Sequence, residues 1–219
     1  MSFDPGCEMA PTVAWNAAFV PCRPSATPTG LVRHGADSPL RGLLEDFVRR
    51  EFLEHFGARI RQFMPELLAL HANDGAIRAV VGCRPAATGP LFLETYTRQP
   101  IENALAERTG HVVPREHIVE IGSLACRNAT AAIAIVRALV PHLLNAGFSW
   151  VVFTGADTVM KVFHHLGLVP SPLCRADAAL LGDARHDWGT YYDHDPQVMA
   201  GRIRDGVFAS HPIPSRRAQ

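Results

Sequence analysis

The sequence predicts an α/β (α+β) fold in which helices flank a mixed, mainly antiparallel sheet. Two observations carry this prediction. Apolar, strand-like runs at residues 66–71 and 76–82 are joined by Asn-Asp-Gly at residues 73–75, a turn signal that predicts an antiparallel hairpin. From residue 118 onward, the pattern is strand, helix, strand, helix. That order requires one parallel crossover within the same sheet.

The chain before the hairpin divides into an arm and a helix. Residues 1–38 contain five prolines and show neither helical nor strand period, which predicts an irregular N-terminal arm. We assign residues 39–219 to a single domain, because no low-complexity run or long linker divides them. Between residues 40 and 60, apolar residues recur at three- and four-residue steps, and this spacing predicts an amphipathic helix that ends near Gly57.

The chain after the hairpin alternates apolar runs with turn residues, and this alternation predicts six further elements. Strands are expected at residues 91–96, 118–125 and 149–154, and helices at residues 100–108, 129–145 and 156–166. The segment at residues 187–201 is rich in aromatic residues. We expect Trp188, Tyr191 and Tyr192 to pack over the sheet and to wall an acyl or substrate pocket.

Composition excludes several functional classes. Twenty-one basic residues balance 21 acidic ones, so no net field attracts nucleic acid or an anionic membrane. The mean hydropathy is +0.05 and no apolar stretch reaches the roughly 18 residues of a membrane span. Five cysteines without metal-like spacing predict reduced thiols and no metal site. The N-terminus does not resemble a signal peptide, so we expect a soluble, cytoplasmic protein.

The junction between the strand at residues 118–125 and the following helix is the most informative segment. A helix start offers unpaired N–H groups and a positive dipole end, which suit a phosphate. Arg127 adds a guanidinium, and Asn128 or Thr130 can cap the helix. The candidate cofactor-binding residues are Ala125, Cys126, Arg127, Asn128, Thr130, Ala131 and Ala132. A capped core helix with an exposed arginine explains the same residues.

Glu120 is the candidate catalytic residue, because it is a carboxylate within an otherwise apolar strand. Burial would raise its pKa toward neutrality, which suits a general base that accepts a proton from an amine. The alternative interpretation is a buried glutamate paired with one of the many arginines. Cys126 suggests a covalent acyl-cysteine, although no base adjoins it in sequence, and a small core thiol is the other interpretation.

Residues 80–168 resemble the GNAT acyltransferase superfamily, whose phosphate-binding signature is Gln or Arg, two residues, Gly, one residue, then Gly or Ala. Arg127, Thr130 and Ala132 occupy the matching positions, with Thr in place of the first Gly. The resemblance implies central strands that splay apart and hold the donor's pantetheine arm in the gap. Many members carry a tyrosine acid where this sequence has Phe163. The leaving thiolate would then need no protein acid, or would take a proton from a histidine or water.

The runs at residues 82–93 and 118–125 are similar to the N-acyl-homoserine-lactone autoinducer synthases. Glu120 stands at that family's strand glutamate, whereas Gly122 and Ser123 stand where the family has Ser and Arg. The resemblance implies an acyl-CoA or acyl-phosphopantetheine donor, the latter on an acyl carrier protein, and a small amine acceptor. The candidate substrate residues are Glu94, Ser123, Thr154 and Phe163.

Residues 47–201 resemble the family labelled thermostable hemolysin. The segments that carry the resemblance are residues 65–70, 89–94, 118–125, 147–154 and 187–201. The label implies membrane lysis, whereas the likeness to autoinducer synthases implies acyl transfer. Lysis requires an amphipathic membrane segment or a lipid anchor, and the sequence shows neither. We therefore expect an N-acyltransferase; the alternatives are a membrane-active protein and a non-catalytic acyl-thioester sensor.

Overall fold

The computed structural model describes residues 29–205, which form a seven-stranded sheet with helices on both faces. The strands are β1 (Thr29–His34), β2 (Glu66–His71), β3 (Ile77–Pro85), β4 (Ile118–Cys126), β5 (Trp150–Gly155), β6 (Ser171–Arg175) and β7 (Gln197–Arg202). The helices are α1 (Arg41–Phe56), α2 (Glu94–Thr97), α3 (Ile101–Thr109), α4 (Ala129–Asn145) and α5 (Asp157–His165). Short 3₁₀ segments complete the described part of the chain.

The strand order is β1-β2-β3-β4-β5-β7-β6, and every neighbouring pair is antiparallel except β4 and β5. α4 is the crossover between those two parallel strands. The mixed, mainly antiparallel sheet is therefore confirmed. β7 lies between β5 and β6, and the segment at residues 176–196 that joins β6 to β7 contacts α1 through Trp188 and Tyr191.

β4 and β5 separate after a short paired stretch. Pairing runs from Ile118 with Trp150 to Ile121 with Phe153, although both strands continue beyond it. β4 also contains a bulge, which is marked by a register shift against β3 and by a positive φ of 51° at Ser123. The central strands are thus splayed, as expected. We call the gap between residues 122–126 of β4 and residues 154–155 of β5 the β4–β5 opening.

The two faces of the sheet carry different helices. Val119 and Ile121 pack with the buried face of α4, while Ile118 packs on the opposite face with residues of α3. The bulge shifts the alternation of side chains by one residue, so Ala125 packs with α1 rather than with α4. α1, α2 and α3 therefore cover one face of the sheet, and α4 and α5 cover the other. This division decides which side chains can meet at the opening.

Two predicted segments differ from the structure. Residues 91–93 form a turn and residues 94–96 begin α2, so this segment is not a strand; the carboxylate of Glu94 accepts the N–H groups of Leu91 and Ile101 and folds the chain back. Residues 29–34, which we expected within the irregular arm, form the edge strand β1 on β2. The remainder of the predicted arm, residues 1–28, lies outside the described residues, as do residues 206–219.

The predicted helices are confirmed with small shifts at their ends. α4 has the predicted bounds, and α1 ends at Gly57, whose φ of 64° lets its N–H bond back to Leu53 and Phe52. The predicted hairpin is β2 and β3, joined through the turn at Gly75, whose φ is 80°. These elements depend on local patterns, which explains why they could be located from sequence.

Candidate active site

Glu120 lies on β4 with its side chain toward α2, and only 2% of it is exposed. Its Oε1 accepts the N–H of Leu93 at 2.9 Å, its Oε2 accepts the N–H of Phe92 at 3.2 Å, and Arg84 Nη1 is 3.8 Å from Oε2. Burial raises the pKa of the Glu120 carboxyl, although the two N–H groups and Arg84 act in the opposite direction. The site therefore combines a carboxyl of raised pKa with an adjacent arginine, so both sequence interpretations describe part of it.

Glu94 holds the segment that contacts Glu120. Its Oε1 accepts the N–H of Ile101 and Nη1 of Arg115 at 2.8 and 2.6 Å, and its Oε2 accepts the N–H of Leu91 at 2.8 Å. Arg115 also bonds Glu102 at 2.5 Å. Burial opposes ionisation of Glu94, but these hydrogen bonds outweigh it and lower the pKa. Glu94 thus stabilises the turn; substrate contact at this residue remains a prediction.

The start of α4 is both capped and exposed. Asn128 Oδ1 accepts the N–H of Ala131 at 2.9 Å, so Asn128 is the cap. The N–H groups of Ala129 and Thr130 precede the first helical hydrogen bond, and both residues are exposed. Arg127 is exposed beside them, with its guanidinium carbon 5.7 Å from the ring centre of Phe47 on α1. A cap and an open set of N–H donors therefore coexist here.

The carbonyl oxygen of Thr154 points into the β4–β5 opening. Ser149 is hydrogen-bonded toward β7, because its oxygen accepts the N–H of Ile203 at 3.0 Å. Residues that bond to a given antiparallel neighbour alternate along a strand with residues that do not, so residues 150, 152 and 154 of β5 direct their N–H and C=O groups toward β4 instead. The pairing with β4 has ended at Phe153. The Thr154 oxygen instead accepts a hydrogen bond from the hydroxyl of Tyr191 at 3.3 Å.

Aromatic side chains form a cluster on the face that carries α1 and α2, and one of them, Tyr191, contacts β5 at the opening. We call them the aromatic cluster: Phe52, Phe56, Phe92, Tyr96, Trp188, Tyr191 and Tyr192. The ring centres of Tyr191 and Phe56 lie 5.3 Å apart, and those of Trp188 and Phe92 lie 5.9 Å apart. The cluster joins α1 to the turn that contacts Glu120. The expected packing of the C-terminal aromatic residues is thus observed.

The remaining candidates lie on different sides of the opening. Ser123 and Cys126 lie on its β4 edge, whereas Phe163 packs against Phe153 on the α5 face, with ring centres 4.9 Å apart. Burial, reinforced by the charge of Glu51, raises the pKa of the Cys126 thiol to about 12. A thiol in that environment stays protonated near neutral pH, so the covalent cysteine mechanism finds no support in its protonation state.

The structure therefore brings together most of the predicted site. The residues at or next to the opening are Ser123, Ala125, Cys126, Arg127, Asn128, Thr130, Ala131, Ala132 and Thr154. Glu120 lies two residues before the point where the strands separate, Glu94 pairs with Arg115 beside α2, and Phe163 packs on Phe153 on the α5 face. Sequence reasoning missed Glu51, a carboxylate that is 7% exposed on α1. The sequence does indicate it, because Glu51 is a charged residue four positions after Phe47, where the helical repeat predicts an apolar side chain.

Acidic residues of the C-terminal segment form ion pairs. Asp187 lies 3.0 Å from Arg61, and Asp195 lies 2.6 Å from Arg175. Within residues 29–205, no three His, Cys, Asp or Glu side chains are grouped so as to hold a metal ion. No helix in the same part of the chain is long and apolar enough to cross a membrane.

Comparisons with known proteins agree on the fold. A family model described as thermostable hemolysin matches residues 34–207. The acyl-homoserine lactone synthase LasI has a TM-score of 0.55 at 12% identity, over 85% of this chain and 98% of LasI. FeeM, an N-acyl amino acid synthase from uncultured soil microbes, has a TM-score of 0.54 at 14% identity, over 80% of this chain and 97% of FeeM.

A third solved structure contains ligands. BjaI, a CoA-dependent acyl-homoserine lactone synthase solved with SAM and isopentyl-CoA, has a TM-score of 0.53 at 15% identity, over 84% of this chain and 88% of BjaI. Comparison with curated proteins finds no sequence match. The TM-scores show that the fold is shared, and at identities of 12–15% they show the fold alone.

Proposed function

The chain belongs to the thermostable hemolysin family, and from that premise we propose that it is an N-acyltransferase. Its donor is an acyl thioester, either acyl-CoA or the acyl-phosphopantetheine of an acyl carrier protein, and its acceptor is a small amine or amino acid. The observation that carries the proposal is the separation of β4 from β5 directly before the open start of α4. The fold shared with LasI, FeeM and BjaI supports it.

The β4–β5 opening suits the arm of such a donor. A pantetheine arm is extended and carries amide groups, so it can pair with peptide groups that a neighbouring strand has left free. β4 continues past its last pairing with β5 at Ile121 as far as Cys126. The chain then reaches Arg127 and the exposed N–H groups at Ala129 and Thr130, where the donor's phosphate would bind.

Glu120 is the proposed general base of the reaction. It takes a proton from the acceptor amine, directly or through a water molecule, as the amine nitrogen attacks the thioester carbon and the carbon–sulfur bond breaks. An N–H group of β4 polarises the thioester carbonyl. The raised pKa of Glu120 favours proton acceptance near neutral pH. Each of its oxygens accepts one N–H group, and a carboxylate oxygen has capacity for a second donor.

The test is an assay of thiol release from a panel of acyl-CoAs in the presence of an amino-acid mixture, with mass spectrometry of the products. Glu120→Gln should lower turnover by about 10²- to 10⁴-fold while the fold is retained. Glu116→Gln, at an exposed glutamate just before β4, is the matched control and should not change turnover. Normal turnover of Glu120→Gln would remove the base from the proposal, and a wild-type protein that releases no thiol from any acyl-CoA or acyl carrier protein would overturn it.

The family description favours one competing function, membrane lysis. Leakage of liposomes by the wild-type protein that persists in Glu120→Gln, without thiol release, would support lysis instead of acyl transfer. Binding of acyl-CoA without any product would support a sensor of acyl thioesters. These three outcomes are mutually distinguishable with the same two proteins.

A further inference from the structure

All three tyrosines of the chain lie in the aromatic cluster, and one of them reaches the β4–β5 opening. The hydroxyl of Tyr191 donates to the Thr154 oxygen at 3.3 Å. The hydroxyls of Tyr96 and Tyr192 bond to each other instead. Tyr191 is therefore distinguished from its neighbour in sequence by what its hydroxyl contacts.

The Tyr191 hydroxyl replaces a backbone hydrogen bond that β4 and β5 do not form. In the parallel pairing of β4 and β5, Glu120 is opposite Val152, so the Val152 oxygen accepts from the N–H of Ile121. If the pairing continued by two residues, the Thr154 oxygen would accept the N–H of Ser123. The bulge at Ser123 ends the pairing, and the phenol of Tyr191 satisfies the oxygen. Tyr191 thus presents its proton at the place where the two strands separate.

The surroundings of Tyr191 keep its phenol protonated and fixed in position. Its ring lies 5.3 Å from those of Phe56 and Trp188 and 5.2 Å from that of Tyr192, measured between ring centres. Burial and the neighbouring Tyr192 raise its pKa above the ordinary value. A phenol in this environment remains a proton donor throughout the neutral range.

We propose that Tyr191 is the general acid that protonates the departing thiolate. This inference rests on the proposed acyl transfer. When the amine nitrogen bonds to the thioester carbon, the carbon–sulfur bond breaks and its electron pair goes to sulfur. The hydroxyl proton of Tyr191 turns from the Thr154 oxygen to that sulfur, while the proton of the amine passes to Glu120. Glu120 then releases its proton to water and the phenolate of Tyr191 takes one up, so both groups return to their starting forms and the products are an amide and a free thiol.

The geometry also explains why the other face does not supply this proton. Phe163, on α5, contacts Phe153 and has no ionisable group. The Cys126 thiol has a pKa of about 12, but it lies on β4, the strand that would pair with the donor's arm. Tyr191 approaches from the face that also carries Glu120, so a base and an acid are available on the same side of the sheet.

The experiment compares Tyr191→Phe with Tyr192→Phe, because each variant removes one hydroxyl and keeps the aromatic ring. Each protein is assayed with acyl-CoA, whose alkyl thiol is a poor leaving group, and with an aryl thioester, whose acidic thiol leaves without help. Loss of a general acid should slow the reaction of Tyr191→Phe with acyl-CoA by about 10²-fold or more. With the aryl thioester, wild type and Tyr191→Phe should differ by no more than a few-fold, whereas any effect of Tyr192→Phe should be of the same size with both donors.

Two results would overturn the role of Tyr191 while leaving acyl transfer intact. One is normal turnover of Tyr191→Phe with acyl-CoA. The other is an equal loss with both donors, which would indicate a positioning role. A wild-type protein that reacts with neither donor would overturn the proposed acyl transfer itself, and the assignment of Tyr191 with it. Circular dichroism of both variants checks that the fold is retained.

Discussion

The side chain of Met64 covers Gly122 of β4 on the face of the sheet that carries α1. Gly122 pairs with Gly82 of β3, and Met64 contacts the space over both glycines. A β-carbon at Gly82 would lie 2.6 Å from Cβ and Cγ of Met64, whereas a β-carbon at Gly122 would meet its terminal methyl group. The methionine thus occupies the space that two neighbouring side chains would otherwise fill, directly beside the bulge.

We expect the two glycines to differ in their tolerance of alanine. Gly82→Ala should lower the free energy of unfolding by about 1–3 kcal/mol, because the clash is with the stem of Met64, which cannot swing away. Gly122→Ala should cost less, because the methyl end of methionine can move. Urea unfolding of both variants measures the difference. Equal losses in the two variants would contradict this account.

The ion pair between Glu94 and Arg115 should contribute strongly to stability. Glu94→Ala leaves two N–H groups without their acceptor and removes one of the two carboxylates that pair with Arg115, so we expect a loss of about 2–4 kcal/mol in the free energy of unfolding. Glu102→Ala is the control, since it leaves Arg115 paired with Glu94 and should cost less. Thermal and urea unfolding provide the comparison; a greater loss in Glu102→Ala would contradict the prediction.

Glu120 should make the stability of the protein depend on pH in an unusual direction. Because the folded-state pKa of this carboxyl is raised above its ordinary value of 4.5, its contribution to stability is fully present below that value and is lost as the pH rises through the folded-state pKa. Glu120→Gln removes this titration. The free energy of unfolding of the variant, minus that of wild type, should therefore increase between about pH 4 and pH 8 in urea unfolding.

The contribution of Glu94 to stability should depend on pH in the opposite direction, so Glu94→Gln is the control for Glu120→Gln. Its folded-state pKa is lowered, so its stabilising contribution is present above the ordinary pKa and is lost as the pH falls through the folded-state value. The deficit of Glu94→Gln relative to wild type should therefore shrink in acid. If the two variants showed the same trend with pH, the contrast between these carboxyls would be wrong.

Cys126 should react slowly in the folded protein. With a pKa of about 12, its thiolate is a small fraction of the total at pH 8. Iodoacetamide should label the peptide that contains Cys126 slowly under native conditions and rapidly in urea, as followed by mass spectrometry. Cys126→Ala should retain acyl transfer. Rapid native labelling with loss of turnover would instead restore the covalent mechanism.

Arg127 should contribute to donor affinity through charge. Arg127→Ala should weaken CoA binding, and the loss should be larger at low ionic strength, because salt screens an exposed charge. Arg137→Ala, at an exposed arginine further along α4, is the matched control and should have little effect. Calorimetric titration at two salt concentrations measures both. Equal affinity of wild type and Arg127→Ala at low salt would exclude a phosphate contact.

Local patterns allowed much of the fold to be predicted from sequence. The hairpin, α1, α4 and the strands on either side of α4 are each specified by periodicity and by nearby turn residues. Residues 91–96 were misassigned because their alternation resembles a strand, whereas Arg115, 21 residues after Glu94, stabilises the turn. β1 was missed because its partner β2 lies more than thirty residues away. Long-range pairing leaves no local signal.

Only those parts of the candidate site that depend on local sequence could be predicted. The start of α4 and the buried Glu120 are local features, and both could be identified from residue types alone. The contact between Tyr191 and Thr154 could not, because it spans 37 residues and depends on β7 entering between β5 and β6. The sequence indicated an aromatic wall, but it did not indicate which hydroxyl would reach the opening.

The position of β7 determines when the sheet of a newly made chain can be completed. β7 is the final strand of the described residues, and it closes the edge of β5 only after residues 197–202 have emerged from the ribosome. Until then, β5 carries an unpaired edge that can associate with other chains, and Tyr191 has no fixed place beside Thr154. The placement of Tyr191 beside Thr154 and the completion of the sheet are therefore one late event in the folding of a newly made chain.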